Sequence, residues 1–268
     1  MKIKEIECKS CMTKSKITDY VINPYVGCQH GCKYCYASFI KKFQNIKDKW
    51  GTFCFPKINC PDLLKDELRK NKPGNIWLSS VCDPYTPIEG KYKLTRKILE
   101  TIASPRYKDK FSIEILTKSA LVKRDFDLLK KLDVKLGVSV NNLDTKTARI
   151  IEPLASPPKE RIKVLKKAHD LGIKTYGFIS PVLPGITNLS KIFEELKFTD
   201  YVWVELLNTY PSTMKRLMPE IKKNFPEKLV DFDLMLYDFD NYLSQIEREV
   251  RELEKKYRLK VKDVIVHK

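Results

Sequence analysis

The sequence predicts a parallel α/β fold with six strand units and a helical C-terminal flank, on three observations. Apolar, β-rich runs recur along the chain, helical patterns alternate with them, and no Pro/Gly/Ser-rich linker separates one repeat from the next. Several of the runs are nearly continuous in apolar residues, as strands of a covered parallel sheet are.

The first strand is expected at 19–26 (DYVINPYV) and the first helix at 62–71, where Pro61 suits an opening turn. A strand at 75–81 (NIWLSSV) leads to a helix at 93–103. The strand at 111–117 (FSIEILT) leads to a helix at 124–132, both helices having apolar residues at helical spacing. After the strand 134–140 (VKLGVSV) comes the clearest helix, 157–171. Ser156 is its expected N-cap, Pro157 its first residue and Gly172 the left-handed residue that ends it. The strand 174–182, the helix 189–197 and the strand 201–207 complete the pattern. Beyond about residue 210 the pattern changes to a long charged helix over 227–257 and a short strand over 261–266. The expected division is an N-terminal arm (1–18), a core (19–210) and a C-terminal flank (211–268) within one compact domain.

Composition narrows the function classes. An apolar content of 43% excludes a disordered chain, and no apolar run approaches a membrane span. The N-terminus, MKIKEIECKSC, lacks the apolar segment of a signal peptide, so a cytoplasmic protein with no membrane partner is expected. Thiols stay reduced there, and the eight cysteines point to metal binding or catalysis before disulfides. A net charge of +17 can attract nucleic acid, an anionic membrane surface or an acidic protein partner. Its basic residues are 41 Lys and 10 Arg, a balance that also fits general compositional bias, because Arg is favoured for bidentate phosphate recognition.

The stretch NPYVGCQHGCKYCYASF concentrates the chemistry. Cys28, Cys32 and Cys35 stand in C-x-x-x-C-x-x-C order directly after the first strand, and the carboxyl ends of parallel strands are where such folds place their sites. Structural zinc generally takes four ligands, often as two C-x-x-C pairs, whereas three thiolates on a [4Fe–4S] cluster leave one iron open to a chelating ligand. Zinc held with Cys8, Cys11 or His30 as fourth ligand is the alternative, as part of a non-catalytic zinc- or nucleic-acid-binding module. An Fe–S electron carrier is another.

This loop, with Tyr34 as the aromatic before its last cysteine, closely resembles the radical S-adenosylmethionine (radical SAM) enzymes. Together with SSVCDPYTPIE, ILTKS, GVSVNN, IIEPLASPPKERI and GFISPVLPGITN, in that order, it resembles the spore photoproduct lyase-like branch over roughly residues 5–190. The resemblance implies a partial parallel (β/α)6 TIM-like barrel. It further implies a [4Fe–4S] cluster on Cys28, Cys32 and Cys35, and S-adenosylmethionine on the open iron. One-electron reduction would then yield a 5′-deoxyadenosyl radical that takes a hydrogen atom from a substrate, with repair or modification of nucleic acid as the favoured reaction.

By motif, the resemblance puts Lys118 at the S-adenosylmethionine carboxylate, Ser139 at its ribose or methionyl group, and Ser79, Ser80 and Asp83 around its amino group, with Tyr34 in the cofactor loop. A cysteine that returns a hydrogen atom in the true lyases aligns with Ser80 here. Cys82 lies two residues on, on the same face if the strand stays regular, and is the candidate donor. Tyr36 is a candidate hydrogen-atom relay or base-stacking residue. His30 could tune the cluster as a neutral imidazole. His169 is expected to face solvent, and His267 to belong to the tail. Cys8, Cys11, Cys54 and Cys60 could form a second four-thiol site. The implied partner is an acidic electron donor such as a ferredoxin or flavodoxin.

Overall fold

The computed structural model describes residues 1–267. Among the described residues, eleven strands form two sheets. In chain order they are β1 (Lys2–Ile3), β2 (Met12–Lys14), β3 (Tyr20–Ile22), β4 (Tyr25–Val26), β5 (Phe53–Pro56), β6 (Gly74–Leu78), β7 (Phe111–Thr117), β8 (Val134–Ser139), β9 (Lys174–Val182), β10 (Tyr201–Leu206) and β11 (Val261–Ile265).

The large sheet runs β11-β10-β9-β8-β7-β6-β3-β2. All its neighbours are parallel except β2, which pairs antiparallel with β3 at one edge. With helices between successive strands, this is the partial parallel barrel expected from the sequence. The strands form because alternate residues are apolar and buried: Phe111, Ile113 and Ile115 of β7 are at most 2% exposed, while the residues between them are half-buried. At Gly137 of β8 the missing side chain makes room for the Tyr176 ring, which stacks on Tyr201 one strand further on.

The small sheet, β1-β5-β4, lies beside the first strand of the barrel. It corrects the expected strand 19–26. Asn23 and Pro24 break that run, so β3 joins the barrel while β4 crosses to the small sheet and pairs with β5. A proline has no N–H for a ladder, and a change of sheet is where that loss is tolerated.

Three further differences have local causes. The segment 227–257 is two helices, Leu229–Tyr237 and Phe239–Tyr257, because Asp238 leaves the helical region and its carboxylate accepts from the Asn241 N–H as an N-cap. The helix over 158–170 is preceded by Pro157 as its cap, and the Ser156 hydroxyl accepts from the Ala120 N–H instead. The helix expected over 124–132 is shorter, a 3-10 turn running into Phe126–Leu129.

Cys11 and Cys60 form a disulfide that ties the N-terminal arm to the helix Cys60–Lys70. This corrects the expectation of reduced thiols only. Among the described residues no second four-thiol site assembles, because Cys11 and Cys60 are joined and Cys54 belongs to a separate cluster with Tyr25, Ile88 and Leu94. His169 is half-buried rather than solvent-facing, with Nδ1 3.2 Å from the Thr175 hydroxyl.

Candidate active site

The carboxyl ends of β6–β10 open into a cavity whose opposite wall is the cysteine loop. Every residue that the sequence singled out for the site lines this cavity: Cys28, Cys32, Cys35, Tyr34, Tyr36, Ser79, Ser80, Cys82, Asp83, Lys118 and Ser139.

The loop leaves β4 through Gly27, whose φ of +84° and close approach to Phe53 exclude a side chain. A Cβ there would stand 2.5 Å from the Phe53 ring. Neighbouring segments then pin the loop. The Gln29 N–H donates to the Thr86 hydroxyl (3.0 Å), Lys33 N–H to the Ile151 carbonyl (2.9 Å), and Leu154 N–H to the His30 carbonyl (3.2 Å). Among the described residues, no three His, Cys, Asp or Glu side chains converge on a point that one metal ion could occupy. A cubane cluster makes no such demand, because each thiolate binds its own iron. The donor set therefore suits the cluster: three thiols from one loop, facing a cavity that also holds a cation and several hydroxyls.

Two buried polar pairs brace the loop. Asp83 accepts four hydrogen bonds, from Tyr85 N–H (2.8 Å), the Thr117 hydroxyl (2.7 Å), Lys118 N–H (2.7 Å) and His30 Nδ1 (3.3 Å). Burial opposes both charges, yet the pairing wins: it lowers Asp83 to about 2, and Asp83 with Cys28 raises His30 to about 10. The pairing with Asp83 and Cys28 thus favours the protonated form of His30. Burial likewise opposes ionisation of Cys28, but His30 lowers it, while burial raises Cys32 well above the usual range and Cys35 to about 11.

The second brace is Glu152, which accepts from both the Tyr34 hydroxyl and Arg161. Glu152 and Arg161 are at most 1% exposed. Burial would raise the Glu152 carboxyl, but Arg161 and Lys118 hold it below the usual range. Arg161 also donates to the carbonyls of Ser156 (2.6 Å) and Ser139 (2.8 Å), so one guanidinium joins the loop to the end of β8. Lys118 Nζ lies 5.5 Å from the Tyr34 ring centre, a cation–π distance.

The geometry around Cys82 differs from a regular strand. β6 ends at Leu78, and Ser79 has a φ of +78°, a left-handed conformation that costs a non-glycine residue about 1–3 kcal/mol and that collects at functional sites. Ser80 and Cys82 reach the cavity from this turn, not from alternate positions of a strand. The Cys82 thiol lies 3.4 Å from the Ser79 hydroxyl, and burial pushes it up to about 12. The Tyr36 hydroxyl donates to the Ser80 carbonyl.

Sequence reasoning gave no site role to Glu152, Arg161, Glu205 or His267. The first two lie in IIEPLASPPKERI, and their pairing at a separation of nine was the available signal. Glu205 accepts from the Ser180 hydroxyl and pairs with His267 Nε2 at 2.9 Å, and both line the cavity. His267 was assigned to the tail; β11, parallel to β10, brings it back.

The Radical SAM superfamily model matches residues 22–196. An uncharacterized protein of Methanocaldococcus jannaschii is 42% identical over 212 residues, 78% of each chain. An uncharacterized protein of Acidianus two-tailed virus is 36% identical over 188 residues, 66% of this chain and 59% of the viral one. Among solved structures, spore photoproduct lyase complexed with dinucleoside spore photoproduct superposes with a TM-score of 0.66 at 16% identity, over 98% of this chain and 82% of that one, which shows a shared fold. A family match over residues 22–196, the partial barrel and the three-thiol loop agree: the chain belongs to the radical SAM superfamily and is an enzyme of that class, whose cofactors are a [4Fe–4S] cluster and S-adenosylmethionine.

Proposed function

We propose that Cys28, Cys32 and Cys35 hold the [4Fe–4S] cluster, and that the cavity beside them takes S-adenosylmethionine and one nucleotide of a nucleic acid to be repaired or modified. The observation that carries this reading is that three thiols of one loop face the same cavity as Lys118, Ser139 and Cys82. The reduced cluster and S-adenosylmethionine supply radical initiation, the removal of a hydrogen atom from the substrate.

The chain's own residues bind and orient. Lys118 offers its ammonium to the S-adenosylmethionine carboxylate, and the Tyr34 ring beneath it fixes its direction. Ser139, Ser79 and Ser80 offer hydroxyls to the ribose and methionyl groups. Asp83 already accepts four hydrogen bonds, so its part is to hold His30, Thr117 and the Lys118 backbone rather than to meet the amino group directly. Glu205, at the far wall, is the carboxylate placed for a cationic group.

Cys82 returns a hydrogen atom to the product radical. Its thiol is held up at about 12 by burial, so the S–H bond that this step breaks is intact at neutral pH. Tyr36 would pass on to the resulting thiyl a hydrogen atom drawn from 5′-deoxyadenosine, so that the Cys82 S–H and the Tyr36 O–H are both restored and the radical ends on the 5′-deoxyadenosyl carbon. Nucleic acid as substrate is supported by the net charge of +17. The same charge suits docking of an acidic ferredoxin or flavodoxin in the cytoplasm, as the reductant that this class of enzyme needs.

Anaerobic reconstitution with iron and sulfide tests the reading. The wild-type protein should gain cluster absorbance and release 5′-deoxyadenosine from S-adenosylmethionine under reduction, and Cys28→Ala should do neither. Cys82→Ala should keep uncoupled cleavage and lose product. Uptake of zinc alone, with no 5′-deoxyadenosine, would sink it.

A further inference from the structure

We infer that the aromatic row Tyr36–Phe39–Phe43, with the lysines around it, is a stacking platform for the unpaired bases of a single-stranded nucleic acid, next to the nucleotide that enters the cavity. The inference rests on the proposed nucleic-acid substrate and narrows it to one strand.

The row begins inside the site and ends in solvent. Residues Tyr36–Phe39 form a 3-10 turn that continues as the helical turn Ile40–Phe43. Its inner face is settled without aromatic help: Ala37 and Ser38 are buried, and Ile40 packs against Val26, Phe53 and Phe55. Positions 36, 39 and 43 fall on another face at helical spacing. Tyr36 stacks on Phe39 (ring centres 6.3 Å apart, 29° between planes), and Phe39 meets Phe43 edge-on at 5.9 Å. The three rings are 48%, 42% and 78% exposed. Tyr36 is also a wall of the cavity, so the row is continuous with the site.

An apolar row this exposed has a use when a ligand covers it. Charge selects the ligand. Lys41, Lys42, Lys47 and Lys49 lie in the same segment as the row, Lys33 before it is paired with Glu220 at 2.8 Å, and the segment's single acidic residue, Asp48, is paired with Lys2 at 3.0 Å. Aromatic faces interleaved with cations are how proteins hold single strands: bases stack on rings while phosphates meet lysines. A duplex offers no open base faces to such a row, and a cavity that must admit one nucleotide favours a strand already unpaired.

Binding is measured on the reconstituted protein without reductant, by fluorescence anisotropy of labelled oligothymidylate and oligouridylate of about 12 nucleotides and of a duplex of equal length. Both single strands should bind more tightly than the duplex, and the better of the two shows whether DNA or RNA is favoured. Phe39→Ala and Phe43→Ala should each weaken single-strand binding by about tenfold. Phe→Leu at either position, which keeps apolar bulk but no π-face, should weaken it nearly as much, and Phe→Trp should restore it. Lys42→Gln and Lys47→Gln should each lower the slope of log affinity against log salt by about 0.7. Equal binding of duplex and single strand, or a Phe39→Ala/Phe43→Ala protein that binds as wild type, overturns the platform. So does polyglutamate competing as well as the oligonucleotides, which would point to an acidic protein partner. Uncoupled 5′-deoxyadenosine release, unchanged in the double variant, separates this from the catalytic reading: single-strand binding without that release keeps the platform and sinks the catalytic assignment.

Discussion

The two walls of the cavity are held by different physics. The strand wall, β6–β10, rests on alternating aliphatic side chains in a continuous parallel ladder, with Ile76, Ile113, Ile115, Leu136 and Val138 at most 1% exposed. The loop wall, residues 27–36, shares an apolar cluster with Ile151, Leu183 and Leu207 through Cys32 and Tyr34, and is fixed in addition by buried polar pairs: Asp83 with His30, and Glu152 with Arg161 and Tyr34. Apolar packing is non-directional and tolerates small shifts, whereas a buried ion pair is satisfied in one geometry. The difference teaches where precision is required: the strand wall supplies stability and a frame, and the loop wall supplies the placement of three thiols.

The largest expected effect comes from separating those two contributions. Arg161→Ala leaves Glu152 buried without its cation and frees the end of β8, and should cost about 3–5 kcal/mol of unfolding free energy. Leu136→Ala on the strand wall should cost a similar amount, about 2–5 kcal/mol, through the cavity it leaves. The comparison then rests on iron content per folded molecule after reconstitution. It should fall in Arg161→Ala and stay at the wild-type value in Leu136→Ala. Equal iron content in the two would mean that the Glu152–Arg161 pair stabilises the fold without positioning the loop.

A smaller effect is expected at the N-terminal arm, which carries β1 and β2. The Cys11–Cys60 disulfide closes a loop of 49 residues, and its loss in Cys60→Ser should lower stability by about 2–4 kcal/mol, mainly through a freer unfolded chain. Because the disulfide joins the arm to the helix Cys60–Lys70 and touches neither wall, single-turnover release of 5′-deoxyadenosine should be unchanged where the variant is folded. Denaturant titration with and without a thiol reductant checks the first value; a wild-type midpoint that ignores the reductant would refute it.

The same contrast explains what the sequence disclosed. Strands of the parallel sheet appear as short apolar or alternating runs, so β7–β10 were readable to within a residue or two. The cysteines of the cluster loop were readable because their spacing within one short segment is itself the signal. The pairings of the braces were not: Glu152 meets Tyr34 across 118 residues, and Asp83, placed in the site by its motif, meets His30 across 53, and neither partner can be read from the local sequence. The break at Asn23-Pro24 and the left-handed Ser79 were also hidden, because both depend on which sheet the chain joins next. His267 reached the site through the pairing of β11 with β10, a contact across some 60 residues.

The smallest expected effect tests that last contact. His267 Nε2 lies 2.9 Å from Glu205 at the far wall, and this hydrogen bond raises the histidine above its usual range against the opposing effect of burial. A raised folded-state value means that protonated His267 stabilises the fold. The contribution is complete below the unfolded value of about 6.5 and is lost as pH rises through the folded value. Wild type should therefore exceed His267→Gln in thermal midpoint by about 1–3 °C near pH 6, and the gap should close on the alkaline side. A gap that widens with pH would mean that neutral His267 is the stabilising form and that Glu205 is not its partner in solution.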